Sequence, residues 1–159
     1  MMKNTCILLL LCSVLLSSGC DPFGTPPPDV STTPNAEQVD YCRSVMYLNP
    51  SIDIQPLGYY YQHAFLDDAI YFKFNALTDD LANIFLPEHV PSENLVERET
   101  PYLLDQDIGE KWWDPPKPKL IGDSFTVPDP RTKGARGLNV GLVKNQEGGY
   151  TVYVFWFET

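Results

Sequence analysis

Alternating apolar and polar positions mark one strand of the chain clearly, over residues 69–76. One face of this run carries Ile70, Phe72, Phe74 and Ala76, and the other carries Tyr71, Lys73 and Asn75. A period of two is typical of a half-buried strand. The preceding run, residues 58–65, is rich in aromatic residues. We predict that the two runs form an antiparallel pair that reverses at Leu66-Asp67-Asp68.

A second pair of strands is predicted near the C-terminus. Apolar runs over residues 138–144 and 150–157 flank a polar connection that ends in Gly148-Gly149. Glycine adopts the positive φ angles that a tight reversal needs, so the pattern predicts a hairpin. The last run is apolar on both faces, which indicates a central strand with a helix on one side and loop aromatics on the other.

Two helices are predicted from capping patterns. Asn35 and Gln38 have the spacing of a capping box, and the apolar residues after them keep helical spacing as far as Pro50. Thr78 followed by Asp79-Asp80 looks like the start of a second helix, which would pack on the sheet. We interpret these two aspartates as a helix cap rather than as a catalytic pair.

These elements predict an α+β fold with a four-stranded, mainly antiparallel sheet in the order ββαββ. One helix packs on this sheet, and the helix that begins after Asn35 is an optional N-terminal addition. Residues 87–137 hold many prolines together with large aromatic residues, among them Trp112 and Trp113. We predict a long, irregular but ordered aromatic loop there. The globular domain is expected to span residues 37–159.

The N-terminus has the layout of a secretory signal peptide. Lys3 precedes an apolar run, residues 6–16, and small residues follow. The run is shorter than the roughly 20 residues that a membrane-spanning helix needs. The sequence Leu16-Ser17-Ser18-Gly19-Cys20 resembles a bacterial lipobox, although Ser17 stands where leucine is most usual. The alternative is an ordinary cleaved signal peptide.

The lipobox resemblance implies cleavage of residues 1–19 and attachment of lipid to Cys20. Two or three acyl chains hold a protein stably on a bilayer, whereas one does not. Residues 20–36 contain five prolines and form the expected tether. Asp21 resembles an inner-membrane retention signal, so we expect lipid anchoring in the bacterial cell envelope, facing the periplasm, with the inner membrane slightly favoured.

Charge limits the possible partners. Loss of residues 1–19 removes one lysine and changes the net charge from −10 to −11. So acidic a chain is not expected to bind nucleic acid, whose phosphates need clustered Lys and Arg. Residues 111–136 are locally basic. We expect these cations to balance nearby acidic groups; the alternative is contact with lipid headgroups or an acidic partner.

Trp112-Trp113 is the best candidate for ligand contact. Neighbouring side chains of an extended segment face opposite sides, so one indole is expected in the core and the other at the surface. An exposed tryptophan beside prolines can stack on a sugar or enter a protein groove. The alternative is a purely structural role in closing the loop over the sheet. The whole pattern resembles small uncharacterised bacterial lipoproteins, and this resemblance implies no activity.

Catalytic and metal chemistry find little support. No catalytic residue, metal site or cofactor is predicted, since the chain has two histidines, His63 and His89, and no Gly-x-Ser-x-Gly motif. Cys42 would be the only cysteine left beside Cys20, and we expect it to be a small buried side chain; the alternative is an intermolecular disulfide or a reactive thiol. We therefore expect a non-enzymatic module that binds an envelope protein. The first alternative is a glycan-binding module that uses Trp112 or Trp113, and a small hydrolase comes third.

Overall fold

The computed structural model describes residues 26–63, 67–100, 104–117 and 119–158. The signal peptide, Cys20, Asp21 and Leu66 therefore lie outside the described residues. One helix, α1, spans Ala36–Val45, and short 3-10 turns lie at Leu81–Asn83 and Ser92–Asn94. The strands are β1 (Asp29–Ser31), β2 (Ile54–Gln62), β3 (Ala69–Ala76), β4 (Val96–Arg98), β5 (Leu120–Pro128), β6 (Ala135–Lys144) and β7 (Tyr150–Glu158).

All seven strands join one antiparallel sheet in the order β1-β2-β3-β7-β6-β5-β4. The predicted α+β fold with a four-stranded ββαββ sheet is wrong: the described residues form a mostly β structure, with one helix beside a seven-stranded sheet. Three strands escaped the pattern analysis. β1 and β4 have three residues each, too few for a recognisable alternation. β5 lies inside the predicted loop, and Gly122, Asp123 and Ser124 interrupt its apolar positions.

The capping box of α1 is confirmed. The Asn35 side chain accepts from the Gln38 backbone N–H at 2.9 Å, and the Gln38 side chain accepts from the Asn35 N–H at 3.0 Å. This exchange satisfies two backbone donors that a helix start leaves unpaired. Cys42 and Val45 then lie on the buried face of the helix.

The second predicted helix is wrong. Residues 81–83 form a single 3-10 turn, and Asp80 rather than Thr78 caps it by accepting from Ala82 N–H at 3.0 Å. The next backbone groups pair with residues 47–49 instead of continuing a helix. Asn49 N–H donates to Ile84 O at 3.0 Å, and Leu86 N–H donates to Tyr47 O at 2.8 Å.

The C-terminal hairpin and the central position of its second strand are confirmed. β7 pairs with β3 on one side and with β6 on the other. Its two faces pack in separate cores, as the apolar pattern predicted. Val152, Val154 and Trp156 pack in the core that includes α1, while Tyr153 and Phe155 pack against Leu104 and Trp113 of the loop before β5.

The folded part of the chain begins before residue 37. β1 lies within the segment that composition assigned to the tether, and it pairs antiparallel with Tyr59–Tyr61 of β2. Its outer side forms one edge of the sheet. Within the described residues, no helix has the length and apolar character needed to cross a bilayer.

Candidate binding surfaces

Trp113 lies in the core on the second face of the sheet. Its side chain packs edge-on against Tyr71 and Tyr153, with ring centroids 5.1 and 5.6 Å away. The indole Nε1–H donates to Leu104 O at 3.1 Å. A ring that is 7% exposed and has its polar atom paired is not a docking platform for a ligand.

Trp112 is the more accessible of the pair, but it is half-buried. One face of its indole lies directly against Gly58 of β2, where any added Cβ would overlap the ring. It also meets Trp113 edge-on at 5.8 Å between centroids. The two tryptophans therefore serve first to hold residues 104–117, which we call the lid segment, on the sheet.

Lys73 of β3 fastens the lid segment electrostatically. Its Nζ donates to Trp112 O at 2.9 Å, pairs with the Asp114 carboxylate, and lies 5.0 Å from the Tyr153 ring centroid. The lysine side chain is 12% exposed, but the Asp114 side chain is 62% exposed, so solvent screens this ion pair. The better-buried contact is the hydrogen bond to Trp112 O, and these contacts give Lys73 a structural role.

β5 has an open outer side along much of its length. Only residues 120–122 of its nine pair with β4, whereas residues 121–128 pair with β6. Asp129 N–H donates to Gly134 O at 2.9 Å, so Asp129 is one of the residues that bond toward β6. Because such residues alternate along an antiparallel strand, the backbone N–H and C=O groups of the odd-numbered residues of β5 point to β6. The backbones of Ser124 and Thr126 therefore face outward. Ser124 N–H donates to the Asp123 side chain at 2.8 Å. Among the described residues, no backbone hydrogen bond joins Thr126 to a neighbour on the outer side.

The other edges of the sheet carry features that discourage strand pairing. β1 and β4 are three residues long, and β4 carries the charged side chains of Glu97 and Arg98. The part of β2 beyond β1 contains Pro56, which has no N–H, and a bulge between Pro56 and Gly58. Such devices are the usual protection of edges, and in β5 they are limited to Asp123 and Pro128, which flank residues 124–127.

A network of ion pairs lies where β5 and β7 end and β6 begins, on the helix side of the sheet. The buried Asp129 carboxylate meets Arg136 Nη2 at 2.7 Å and Arg131 Nε at 3.2 Å. Arg136 Nη2 also lies 2.6 Å from Glu158 Oε1, and the Arg131 guanidinium lies 4.9 Å from the Trp156 ring centroid. The prediction that cations of residues 111–136 balance acidic neighbours fits these pairs.

Electrostatics keep Asp129 ionised. Burial by itself would raise the pKa of this carboxyl, but hydrogen bonds from Arg131 and the charges of Arg131 and Arg136 outweigh it. The net effect lowers the pKa of Asp129 to about 2. The network is therefore a fixed structural brace at neutral pH.

Asp68 extends this network toward β2. Its carboxylate accepts from the Tyr61 hydroxyl at 3.0 Å, lies 2.7 Å from His63 Nδ1, and lies 3.5 Å from Arg131 Nη1. A His–Asp dyad orients an imidazole for proton transfer, but the hydrogen bonds of His63 within the described chain go to Tyr61 and Asp68. No serine or cysteine nucleophile among those residues bonds to it, so the dyad does not by itself support a hydrolase.

A groove adjoins this network between β1, β2 and the first turn of α1. Its volume is about 320 Å³. Its lining combines tyrosine rings with carboxylate and amide side chains: Asp29, Asn35, Glu37, Gln38, Tyr41, Tyr59 and Tyr61. Burial raises the pKa of Tyr61 to about 12, assisted by its hydrogen bond to Asp68, so the hydroxyl keeps its proton at neutral pH.

Sequence reasoning missed this groove and the ion-pair network. Tyr41 and Tyr61 are separated by twenty positions, and Asp129 lies far from both in the chain. The available signals were the tyrosine-rich run at residues 58–65 and the mixed charges around residues 129–136. Neither indicates proximity until the strand order is known.

Cys42 lies on the buried face of α1 and is 0% exposed. Burial raises the pKa of its thiol well above the ordinary value. Among the described residues, no three His, Cys, Asp or Glu side chains are grouped as a metal site requires. Comparison with protein-family models, with curated proteins and with solved structures finds no match to this chain.

Proposed function

We propose that the chain is a lipid-anchored lipoprotein of the bacterial cell envelope that binds another envelope protein without catalysing a reaction. The sequence Leu16 to Cys20 supports the anchor, which would fix the domain to a membrane with the sheet facing the periplasm. The open outer side of β5 supports the binding role.

Strand addition is the binding mode that this edge favours. An extended segment of the partner would exchange backbone hydrogen bonds with Thr126 and donate to Ser124 O, since Ser124 N–H is bonded to Asp123, as in other complexes formed at sheet edges. Phe125 is half-buried on the helix face, and Val96, at the end of the open edge, is 47% exposed. A partner strand with apolar residues facing these two side chains would cover both.

The decisive residue is Thr126, because its N–H faces outward and a proline there removes the donor without breaking the β5–β6 ladder. Membranes that carry the wild type, Thr126→Pro or the matched control Thr126→Val, which keeps the N–H, are crosslinked. Each version of the protein is then purified together with the proteins crosslinked to it. We expect one stoichiometric partner with the wild type and with Thr126→Val, and its loss with Thr126→Pro.

Two outcomes would count against strand addition. Retention of the partner by Thr126→Pro would contradict the use of this edge. Recovery of no stoichiometric partner would remove the protein-binding proposal.

The anchor has its own test. Radiolabelled palmitate is expected to enter the wild type and not Cys20→Ala, because the thioether requires the Cys20 sulfur. Equal labelling of the two proteins, or labelling of neither, would contradict the lipoprotein assignment.

A further inference from the structure

The groove beside α1 combines an aromatic surface with exposed carboxylates. Tyr41 and Tyr61 stand edge to face with ring centroids 6.3 Å apart, and the nearly buried ring of Tyr59 completes the aromatic lining. Asp29 and Glu37 add exposed carboxylates. Small-molecule sites typically have this character, with aromatic walls and a few convergent polar groups in a cleft of at least about 300 Å³.

The groove is held in shape by hydrogen bonds that its lining residues make with one another and with residues behind them. Gln38 Nε2 donates to Asp29 Oδ2 at 3.0 Å, and Arg131 Nη1 donates to the Tyr41 hydroxyl at 2.7 Å. On the far wall the Tyr61 hydroxyl donates to Asp68. Side chains fixed in this way lose little entropy when a ligand binds, which favours affinity.

Charge narrows the class of ligand. The Asp29 and Glu37 carboxylates disfavour an anion such as phosphate. The Arg131 guanidinium does not line the groove, but its carbon lies 5.9 Å from the Tyr41 ring centroid, so the ring already contacts one cation and attracts a second one less. A neutral ligand with many hydroxyl groups is repelled by neither charge, because hydroxyls donate to carboxylates and accept from amide N–H groups.

We propose that this groove binds a neutral saccharide, with the apolar face of a sugar ring against Tyr41 or Tyr61 and its hydroxyls toward Asp29 and Glu37. This site is separate from the β5 edge, so it adds a second binding activity to the proposed protein-binding role. It also differs from the predicted glycan contact at Trp112 and Trp113, which the lid segment keeps against the sheet.

The test is an NMR titration of the intact lipoprotein in detergent micelles. The probes are N-acetylglucosamine tetramer and maltotriose as saccharides, and tetramethylammonium and inorganic phosphate as the charged alternatives. We expect saturable shifts confined to groove residues with at least one saccharide below 10 mM, and none with the charged probes.

Variants then assign the contact. Tyr61→Ala is expected to weaken saccharide binding at least tenfold, and Glu37→Ala, which changes an exposed side chain, about fivefold. Tyr60→Ala is the matched control, because Tyr60 packs on the opposite face of the sheet; it is expected to leave affinity within twofold. If Tyr61→Ala does not fold, Glu37→Ala decides.

Three results would overturn the proposal: no shift with either saccharide, shifts in the groove with a charged probe alone, or unchanged saccharide affinity in Glu37→Ala and any folded Tyr61→Ala protein. None of these results bears on the pull-down with Thr126→Pro, so failure here is distinguishable from failure of the protein-binding role.

Discussion

The indole of Trp112 rests directly on the backbone of Gly58, and no other residue type fits beneath it. The contact joins the lid segment to β2, because a Cβ at position 58 would overlap carbon atoms of the ring. Glycine is required here by the close approach of a side chain, not by an unusual backbone angle.

Gly58→Ala is therefore expected to displace Trp112 and lower the free energy of unfolding by about 1 to 3 kcal/mol, the usual effect of overpacking. Urea unfolding measures the loss, and tryptophan emission should shift to longer wavelength as the indole moves into solvent. In a Trp112→Leu background, Gly58→Ala should lower the free energy of unfolding much less than it does in the wild type, because the smaller side chain at position 112 relieves the clash. An equal loss of unfolding free energy in the two backgrounds would contradict the packing of Trp112 on Gly58.

Lys73→Met is expected to loosen the lid segment while preserving most of the buried volume. The variant loses the hydrogen bond from Lys73 to Trp112 O, which contributes about 1.5 to 3 kcal/mol, and the pair with the mostly exposed Asp114 side chain, which contributes less than about 1 kcal/mol. Trypsin should then cleave after Lys111, which is exposed, at least tenfold faster than in the wild type.

Lys119→Met is the matched control for the lid experiment. Lys119 pairs with Glu97, and both side chains are about two-thirds exposed, so the pair contributes less than about 1 kcal/mol. Unchanged cleavage in Lys73→Met, or equal acceleration in both variants, would show that Lys73 does not hold the segment.

Asp129→Asn is expected to lower the free energy of unfolding by about 3 kcal/mol at pH 7, since it breaks buried ion pairs and removes one of the two carboxylates that each of Arg131 and Arg136 contacts. The folded-state pKa of Asp129 lies near 2, below its value in the unfolded chain. Its stabilising effect is therefore complete above about pH 5 and declines as pH falls from about 4 toward 2.

Urea titrations of wild type and Asp129→Asn at pH 7, 4 and 2.5 check this linkage. The difference between the two proteins should shrink toward low pH. Asp123→Asn serves as the control, because the Arg98–Asp123 pair is partly exposed and should contribute about 1 kcal/mol or less. A difference that stays constant down to pH 2.5 would contradict the lowered pKa.

Cys42 is expected to resist alkylation by iodoacetamide in the folded protein. Its thiol is buried, and its raised pKa leaves almost no thiolate at pH 8. Mass spectrometry should show modification only after addition of denaturant. Rapid labelling of the native protein would contradict the position of Cys42 on the buried face of α1.

Local patterns predicted the elements whose signals are strong and short-ranged. The reciprocal hydrogen bonds of Asn35 and Gln38 depend on residues three apart, and the alternation at residues 69–76 coincides with β3. The predicted strand at residues 58–65 overlaps β2, which begins at Ile54 despite Pro56 because the bulge there accommodates the missing donor.

Long-range features were not predictable from the same patterns. β5 and β4 are strands because β6 offers an edge to β5, and not because their own residues alternate cleanly. The contact between Asp68 and Arg131 depends on the whole strand order, because that order places the β2–β3 connection at the same end of the sheet as the β5–β6 connection. Single-sequence reasoning has no access to that order, so it directed attention to Trp112 and Trp113 rather than to the tyrosine groove.

The position of β7 has a consequence for how the chain is made. This strand is synthesised after every other described strand, yet it joins β3 to β6 in the middle of the sheet. Before it emerges, no ladder of backbone hydrogen bonds among the described residues joins the two halves of the sheet. Completion of the native sheet must therefore wait until β7 has been translated.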